Sequence, residues 1–219
     1  KLVSQRLSMP MKVIAGENYA DIETLLLNHR IDIAVMSPYA YVVAKTKDPG
    51  IRVISTHIAN GTESYGAYIL VTENSPVRSI ADLSGKKFGF VDERSSSGWL
   101  FPASRMLDEG LNPLTDLSGQ FYGSHERVIR AIVSGKIDAG ATYNAALSEG
   151  RGRIPGAHNL RVIARTERIP YDAYVIRSGF PSEAILGLQK ALSSVSTRDA
   201  DGREALKPLG DINGFIRTD

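Results

Sequence analysis

The chain has 219 residues, a formal net charge of +2 and no cysteine. This length allows one large domain or two small ones, and the hydrophobic and charged fractions, 42% and 23%, are typical of a folded globular protein. The basic residues form no long run, which argues against nucleic acid as a partner. Without cysteine there are no disulfides, thiolate metal sites or cysteine nucleophiles. No apolar run approaches the roughly 20 residues of a membrane span.

The first half of the chain alternates between strand and helix patterns. A helix is predicted over 18–30, where an isoleucine and two leucines recur at helical spacing. Asn60 followed by Gly61 predicts a turn between two strands, and 74–85 is a proline-marked link with a short helix. The predicted strands of this half are residues 11–16, 31–37, 51–59, 65–73 and 86–93.

The second half repeats this alternation. A helix is predicted from Ser97 to Glu109, because Gly110 is typical of a helix end. Further helices are predicted over 124–135, 181–196 and 201–210, and further strands over 119–123, 136–144, 160–166 and 172–178. Strands that alternate with helices predict an α/β protein with largely parallel sheets.

Two segments of the chain resemble each other. Residues 29–41 and 134–146 each run from a helix end through Ile-Asp and a small apolar strand into a polar loop with a tyrosine. Equivalent positions in two similar lobes would explain the likeness. Chance similarity between two α/β units is the alternative.

Three serines and a glycine, Ser95 to Gly98, follow the predicted strand 86–93 and precede a helix. One interpretation is ordinary capping, in which Ser96 or Ser97 binds a backbone N–H two or three residues on. The other is an anion site, since the unpaired N–H groups of a first helical turn, the helix dipole and the hydroxyls all favour an oxyanion. Gly98 would then allow close approach of a ligand oxygen. Open α/β sheets bind ligands beyond such strand ends.

Further polar and aromatic residues stand near predicted strand ends. His125 follows Ser124, a candidate N-cap, and so falls in the first turn of a helix. Tyrosine hydroxyls can donate to an anion, although partial burial in a core is the usual role of a tyrosine. The candidate tyrosines are Tyr39, Tyr41 and Tyr65.

Two more residues have open roles. Asp172 suits an anion site if the ligand carries a proton, because an O–H···O⁻ bond is short and strong while a fully deprotonated ligand would be repelled. Trp99, the only tryptophan, is assigned either to core packing or to a cleft wall.

No catalytic or metal-binding pattern is present in the sequence. It contains no G-x-S-x-G, no H-E-x-x-H and no phosphate-binding G-x-x-x-x-G-K-[ST]. His29, His57 and His158 lack the spacing of metal ligands. We therefore expect no catalytic residue, no metal and no cofactor. A hydrolase that uses one of the serines is the enzymatic alternative, and the lack of a neighbouring base disfavours it.

In order along the chain, these segments resemble the periplasmic solute-binding proteins of phosphonate, phosphite and phosphate ABC transporters, which have the type 2 periplasmic-binding fold. The likeness runs over about residues 20 to 215. It is carried by IDIAVMSPYAYVVA (31–44), by the aromatic strand and serine-rich block of 65–102, by the His-bearing helix and strand of 123–141, and by IPYDAYVIRSGFP (169–181).

The resemblance implies an α/β protein of two lobes, each a mixed sheet flanked by helices, which are joined by two crossover strands and enclose the ligand cleft. Lobe I would comprise residues 1–72 and 168–219, and lobe II residues 73–167. The residues that it places around the ligand are Tyr41, Tyr65, Ser95, Ser96, Ser97, His125 and Asp172, with Tyr39 and Tyr143 as neighbours.

The sequence departs from the family pattern at a few positions. Ser37 stands where glycine is common in the family, and TYNAALSE (142–149) follows a strand after which the family usually has another acidic contact. Relatives also have a strand and helix before residue 11 and often continue beyond the present end. The departure at the acidic contact leaves the identity of the oxyanion open.

The resemblance implies a monomeric, non-catalytic binding protein in the periplasm, free or lipid-anchored. It would close over a small oxyanion and deliver it to the transmembrane permease of an ABC transporter. The alternative is an extracytoplasmic sensor domain of a signalling protein with the same fold.

Overall fold

The computed structural model describes residues 2–218 and divides the chain into two compact units. The first unit comprises the chain up to Ser64 and from Pro170 onward, and the second comprises Tyr65–Ile169. The chain therefore passes between the units twice. The lobe boundaries drawn from the sequence differ from these units at residues 65–72 and 168–169. Residues 67–72 pair with strands of the second unit.

Helices and strands alternate along much of the described chain. The helices are α1 (Leu2–Leu7), α2 (Tyr19–Leu27), α3 (Pro38–Lys47), α4 (Phe101–Asp108), α5 (His125–Val133), α6 (Asn144–Arg153), α7 (Ser182–Ser193) and α8 (Ala200–Leu206). The strands are β1 (Ile33–Met36), β2 (Arg52–Ala59), β3 (Ser64–Tyr65), β4 (Ala67–Thr72), β5 (Lys87–Phe90), β6 (Ser118–Phe121), β7 (Ala139–Tyr143), β8 (Leu160–Arg165), β9 (Ile169–Pro170), β10 (Ala173–Ile176) and β11 (Ile212–Arg217).

The first unit is built on a four-stranded sheet in the order β1, β10, β2, β11. All three pairings between these described strands are antiparallel. β1 and β2 run in the same direction because α3 connects them, but β10 is inserted between them and pairs with both in the opposite sense. The largely parallel sheet that strand–helix alternation predicted is therefore not found in this unit.

Helices cover both faces of this sheet. Leu26 of α2 and Ala44 of α3 pack with Val175 on one face, and Leu188 of α7 packs with Ile176 on the other. Neighbouring residues of a strand point to opposite faces, so Val175 and Ile176 serve different cores. Each face buries its own apolar cluster, which fixes the register of β10.

The predicted strand over residues 11–16 is wrong. These residues form no regular secondary structure, and Val13 is 92% exposed. Because no described strand pairs with the segment, its apolar side chains have no sheet face to cover. The helix predicted next to it is confirmed as α2, which Asn18 caps by accepting a hydrogen bond from the Asp21 N–H at 2.9 Å.

The second unit contains a five-stranded mixed sheet in the order β6, β5, β7, β4, β8. β5 is parallel to β6 and β7, while β4 is antiparallel to β7 and β8. Its core includes Phe88, Phe90, Ile69 and Met106, each at most 2% exposed. The α/β class with helix-flanked sheets is confirmed.

Two helices stand where the sequence predicted polar loops. α3 follows β1 and α6 follows β7 with almost no connection. The Ser37 Oγ accepts a hydrogen bond from the Ala40 N–H at 3.1 Å, and Pro38 occupies the first turn of α3. Small and polar residues dominate both helices, so neither shows the apolar spacing from which a helix is predicted. None of the described helices has the length and apolar character needed to cross a bilayer.

Candidate functional site

The predicted site residues of the second unit meet at one edge of its sheet. β5 and β7 are parallel, so both end at this edge, and β4 begins there because Ala67 pairs with Tyr143. We call it the carboxyl edge and define it by Tyr65, Ser95–Ser97, His125 and Tyr143. Open sheets bind ligands at such strand ends.

The serine stretch forms a tight turn that leads into a helix. Ser96–Leu100 is a π-helical turn that continues directly into α4. Ser95, with extended backbone dihedrals, caps it: its Oγ accepts a hydrogen bond from the Gly98 N–H at 2.9 Å. The capping interpretation is therefore right for this stretch, although the sequence assigned the cap to Ser96 or Ser97. These three serines are no more than 3% exposed.

Gly98 has a packing role that the sequence did not suggest. A Cβ at this position would lie 2.3 Å from the Cβ of Val91, far inside a normal contact distance. The glycine is therefore required because the turn packs against the residue that follows β5. Close approach of a ligand oxygen to Gly98 stays a prediction.

Trp99 belongs to an aromatic cluster in the second unit. Its ring contacts Phe90 edge-on at 4.8 Å between centroids and Phe121 at 5.4 Å. Such geometry is favourable for aromatic pairs. Of its two possible roles, core packing is the one that the structure supports.

His125 is the first residue of α5, and its ring is held from two sides. Ser124 caps the helix by accepting a hydrogen bond from the Arg127 N–H, as predicted. The His125 Nδ1 lies 2.9 Å from the Thr142 Oγ1, and the Tyr143 ring meets the imidazole edge-on at 4.7 Å. Burial lowers the pKa of His125 to about 4, so the imidazole is neutral near pH 7.

The remaining side chains of the carboxyl edge are aromatic and amide groups. Tyr65 is 9% exposed and meets Tyr143 edge-on at 6.1 Å. Asn144, the next residue after β7, has a buried Oδ1 that finds no donor among residues 2–218. This edge of the second unit therefore offers hydroxyl, imidazole, phenol and amide groups, which suit hydrogen bonding to a polar ligand.

In the first unit, Asp172 and the start of α3 lie at the same sheet edge. Met36 pairs with Ala173, so Ser37 and Asp172 leave the sheet side by side. Tyr39 follows in the first turn of α3. Burial raises the pKa of the Asp172 carboxyl to about 6, so part of this group is protonated in mildly acidic solution.

Tyr41 is placed differently within the first unit. It lies two residues further along α3 and, like Val53, packs against a core that includes Ile51. It also lines a groove of about 360 Å³ with residues of β2, α7 and β11; the others are Arg52, Val53, Ile54, Ile185, Gln189, Arg217 and Thr218. The structure thus groups Tyr41 with this groove, and a ligand contact by Tyr41 stays a prediction.

Next to Asp172, the structure brings together residues that the sequence did not single out as a group. The rings of His57 and Tyr171 lie 4.6 Å apart in a tilted arrangement, and Tyr174 meets His57 edge-on at 6.5 Å. Burial lowers the pKa of His57 to about 4. Burial, with a further contribution from the Asp172 charge, raises the pKa of Tyr174 to about 12.

Thr142 is a buried polar residue beside His125 that sequence reasoning did not single out. The strand pattern predicts burial for this position of β7, but it does not predict contact with a histidine 17 residues away. No group of three or more metal-ligating side chains occurs among the described residues. The arrangement is therefore one of hydrogen-bonding groups at the ends of strands.

Comparisons with known proteins identify the family of the chain. Residues 1–219 match the protein family described as ABC transporter, phosphonate, periplasmic substrate-binding protein. The chain is 26% identical over 161 residues to the phosphate-import protein PhnD of Mycolicibacterium smegmatis, which covers 68% of this chain and 50% of that protein. It is 23% identical over 180 residues to the phosphonates-binding periplasmic protein of Escherichia coli, and this match covers 80% of this chain and 53% of that protein. The chain spans about half the length of these curated relatives.

Solved structures support the fold. The structure of PhnD1 from Prochlorococcus marinus in complex with methylphosphonate is similar with a TM-score of 0.86 and 21% identity, over 99% of this chain and 84% of that chain. At this identity the likeness shows the fold, and it confirms the predicted two-lobed periplasmic-binding class.

Proposed function

We propose that this chain, which belongs to the family of periplasmic phosphonate substrate-binding proteins of ABC transporters, captures a small phosphorus oxyanion for import. The ligand class is a phosphonate, phosphite or phosphate. Two relatives are named for phosphate import and for phosphonate binding, and a third protein of like fold is bound to methylphosphonate.

The buried serine turn is the observation that carries this proposal. Ser95, Ser96 and Ser97 place hydroxyls and the N–H groups of a helix start at the end of β5, away from bulk water. Hydroxyl and N–H donors bind oxyanions through charge-assisted hydrogen bonds. Ser95 is committed to capping, so we assign ligand contact mainly to Ser96 and Ser97, with His125 and Tyr65 as further donors.

The first-unit residues are proposed as a second set of ligand contacts. Asp172 has a raised pKa and can accept a hydrogen bond from a P–OH group or donate one when protonated. Tyr39 and Tyr41 would add phenol hydroxyls. A carboxylate among the contacts favours an anion that keeps a proton near pH 7, as phosphate and alkylphosphonates do.

We also propose that the chain binds its ligand without transforming it. The Ser95 Oγ is occupied by the Gly98 N–H, and the His125 Nδ1 by Thr142. A serine nucleophile needs a base within hydrogen-bond reach, and neither of these contacts joins a serine to a histidine. The proposed partner is the permease of an ABC transporter, and the proposed compartment is the periplasm.

Thermal unfolding with and without candidate anions tests the ligand class. At a concentration one hundred times its Kd, a ligand adds about 2.7 kcal/mol of stability, which raises the Tm of a chain this size by about 5–10 °C. We expect this rise with at least one of methylphosphonate, phosphite and phosphate, and none with chloride. No rise with any of the three at millimolar concentration would contradict the proposal.

A pair of serine variants tests the site. Ser97→Ala removes a buried hydroxyl of the turn. Because a hydrogen bond to a charged group contributes about 1.5–3 kcal/mol to binding, we expect the variant to bind the anion at least about tenfold more weakly. Ser148→Ala, at an exposed position of α6, is the matched control and should bind like the parent. Equal affinity of both variants would place the site elsewhere.

A further inference from the structure

We propose that Thr142 is a positioning residue that holds His125 in its Nε2-protonated neutral form, so that the imidazole presents one N–H donor to the bound oxyanion. The inference rests on the proposed function, because it concerns how the same carboxyl edge binds its ligand. It assigns a role to a residue that has no other part in the site.

The direction of the Thr142–His125 hydrogen bond follows from burial. Thr142 is 0% exposed, and its Oγ1 lies 2.9 Å from the His125 Nδ1. If Nδ1 carried the proton, it would donate to Oγ1, and the threonine hydroxyl hydrogen would be buried without an acceptor among the described residues. An unsatisfied buried donor is costly. The hydroxyl therefore donates to Nδ1, and the single ring proton of a neutral imidazole must lie on Nε2.

The surroundings of the ring agree with a neutral imidazole. The charged residues that follow it on α5, Glu126 and Arg127, are exposed, and Glu126 is paired with Arg130. The strand side of the ring is formed by Thr142 and Tyr143. No carboxylate of the described chain forms an ion pair with the imidazole, so its charged form lacks a stabilising partner.

Nε2 remains available to a ligand. Within residues 2–218 it makes no hydrogen bond, and it is not among the buried side-chain atoms that lack one. The edge-on Tyr143 ring limits rotation of the imidazole, so the Nε2–H direction is set before the ligand arrives. A donor fixed in advance binds an anion without the entropy cost of ordering it.

Nitrogen NMR of the imidazole tests the tautomer directly. In ¹⁵N-labelled protein at pH 7, two-bond proton–nitrogen spectra distinguish protonated from unprotonated ring nitrogens. The chain has four histidines, and the signals lost in His125→Gln identify those of His125. We expect an unprotonated Nδ1 and a protonated Nε2 in the parent chain, and a mixture of tautomers in Thr142→Val. A protonated Nδ1 in the parent chain would overturn the proposal.

Affinity measurements test the consequence for binding. The titrant is whichever of methylphosphonate, phosphite and phosphate binds the parent chain most tightly. We expect Thr142→Val to bind about fivefold to tenfold more weakly, which corresponds to the loss of one ordinary hydrogen bond. Thr142→Ser keeps the hydroxyl and should bind within about twofold of the parent chain. Thr72→Val, at the opposite end of the same sheet, is the matched control.

The outcomes separate this inference from the proposed function. If the parent chain binds one of the anions and Thr142→Val binds equally well, the positioning role is wrong while the proposed function stands. If the parent chain binds none of them, the proposed function fails, and the proposed role of His125 in binding fails with it. The melting curve of Thr142→Val shows whether this variant folds. If it does not fold, the Thr142→Ser variant decides the question. Weaker binding by a normally folded Thr142→Ser, which keeps the hydroxyl, would overturn the proposal.

Discussion

Ser95, Ser96 and Ser97 are adjacent in the chain but have different tasks. Ser95 caps the turn through its contact with the Gly98 N–H, whereas we assign Ser96 and Ser97 to the ligand. Their common burial follows from the way in which the turn is folded onto β7 and β4. One sequence feature thus serves both the local structure and the proposed binding.

The capping role gives a prediction for stability. Ser95→Ala leaves the buried Gly98 N–H without its acceptor, so we expect the free energy of unfolding to fall by about 1–2 kcal/mol. Urea unfolding of the ligand-free protein measures this. Ser148→Ala should change stability by less than about 0.5 kcal/mol. Equal stability of the two variants would show that the cap does not matter.

Asp172 gives a prediction for pH dependence. Its pKa rises from 3.8 in the unfolded chain to about 6 in the folded one, so the folded state binds the proton more tightly. Ionisation therefore destabilises the folded state: the penalty is complete above pH 6 and disappears as the pH falls below about 4.

The variant Asp172→Asn removes this penalty. Since one pKa unit corresponds to about 1.4 kcal/mol, we expect the variant to be about 3 kcal/mol more stable than the parent chain at pH 7. Urea unfolding without ligand measures this difference in the free energy of unfolding. The difference should shrink through pH 5 and vanish near pH 4. A gain of the same size at pH 4 and pH 7 would contradict the burial of the charged carboxyl.

The turn between β5 and α4 depends on a close approach that a side chain would block. Gly98→Ala places a Cβ 2.3 Å from the Val91 Cβ, and we expect overpacking to cost about 1–3 kcal/mol. Gly152→Ala, in α6 with open space around the new Cβ, should be neutral or stabilising by up to about 1 kcal/mol. Thermal unfolding of both variants checks the contrast, and a stable Gly98→Ala would contradict the packing of the turn.

Elements with a clear apolar pattern could be predicted from the sequence, and the others could not. β2 and α5 lie within two residues of their predicted bounds, because their apolar residues show strand and helix spacing. α3 and α6 lack that spacing and were expected to be loops. Residues 11–16 have the composition of a strand but no partner to pair with, which no local pattern reveals.

The site could be predicted only in part, for a similar reason. His125 and the serine stretch are marked by their place at helix starts, which is visible in the sequence. The contact between His125 and Thr142 joins α5 to β7, and the pairing of Met36 with Ala173 brings Asp172 beside the start of α3. Such contacts arise from tertiary packing, so they appear only in the folded chain.

For the molecule as a whole, membership of the family and the buried donors of the carboxyl edge lead to one proposal. The chain covers about half the length of its curated relatives, and its ligand and permease partner are proposed here. Binding of the anion by neutral donors, not by a cluster of cations, is the physical core of that proposal.

Isothermal titration calorimetry tests most directly whether the parent chain binds a phosphorus oxyanion. The titrants are methylphosphonate, phosphite and phosphate, with sulfate for comparison. We predict saturable binding of at least one of the three phosphorus anions, with one site per chain, and weaker binding of sulfate, which carries no proton for Asp172 at neutral pH. No heat of binding for the three phosphorus anions at millimolar concentration would contradict it, and so would tighter binding of sulfate than of each of them.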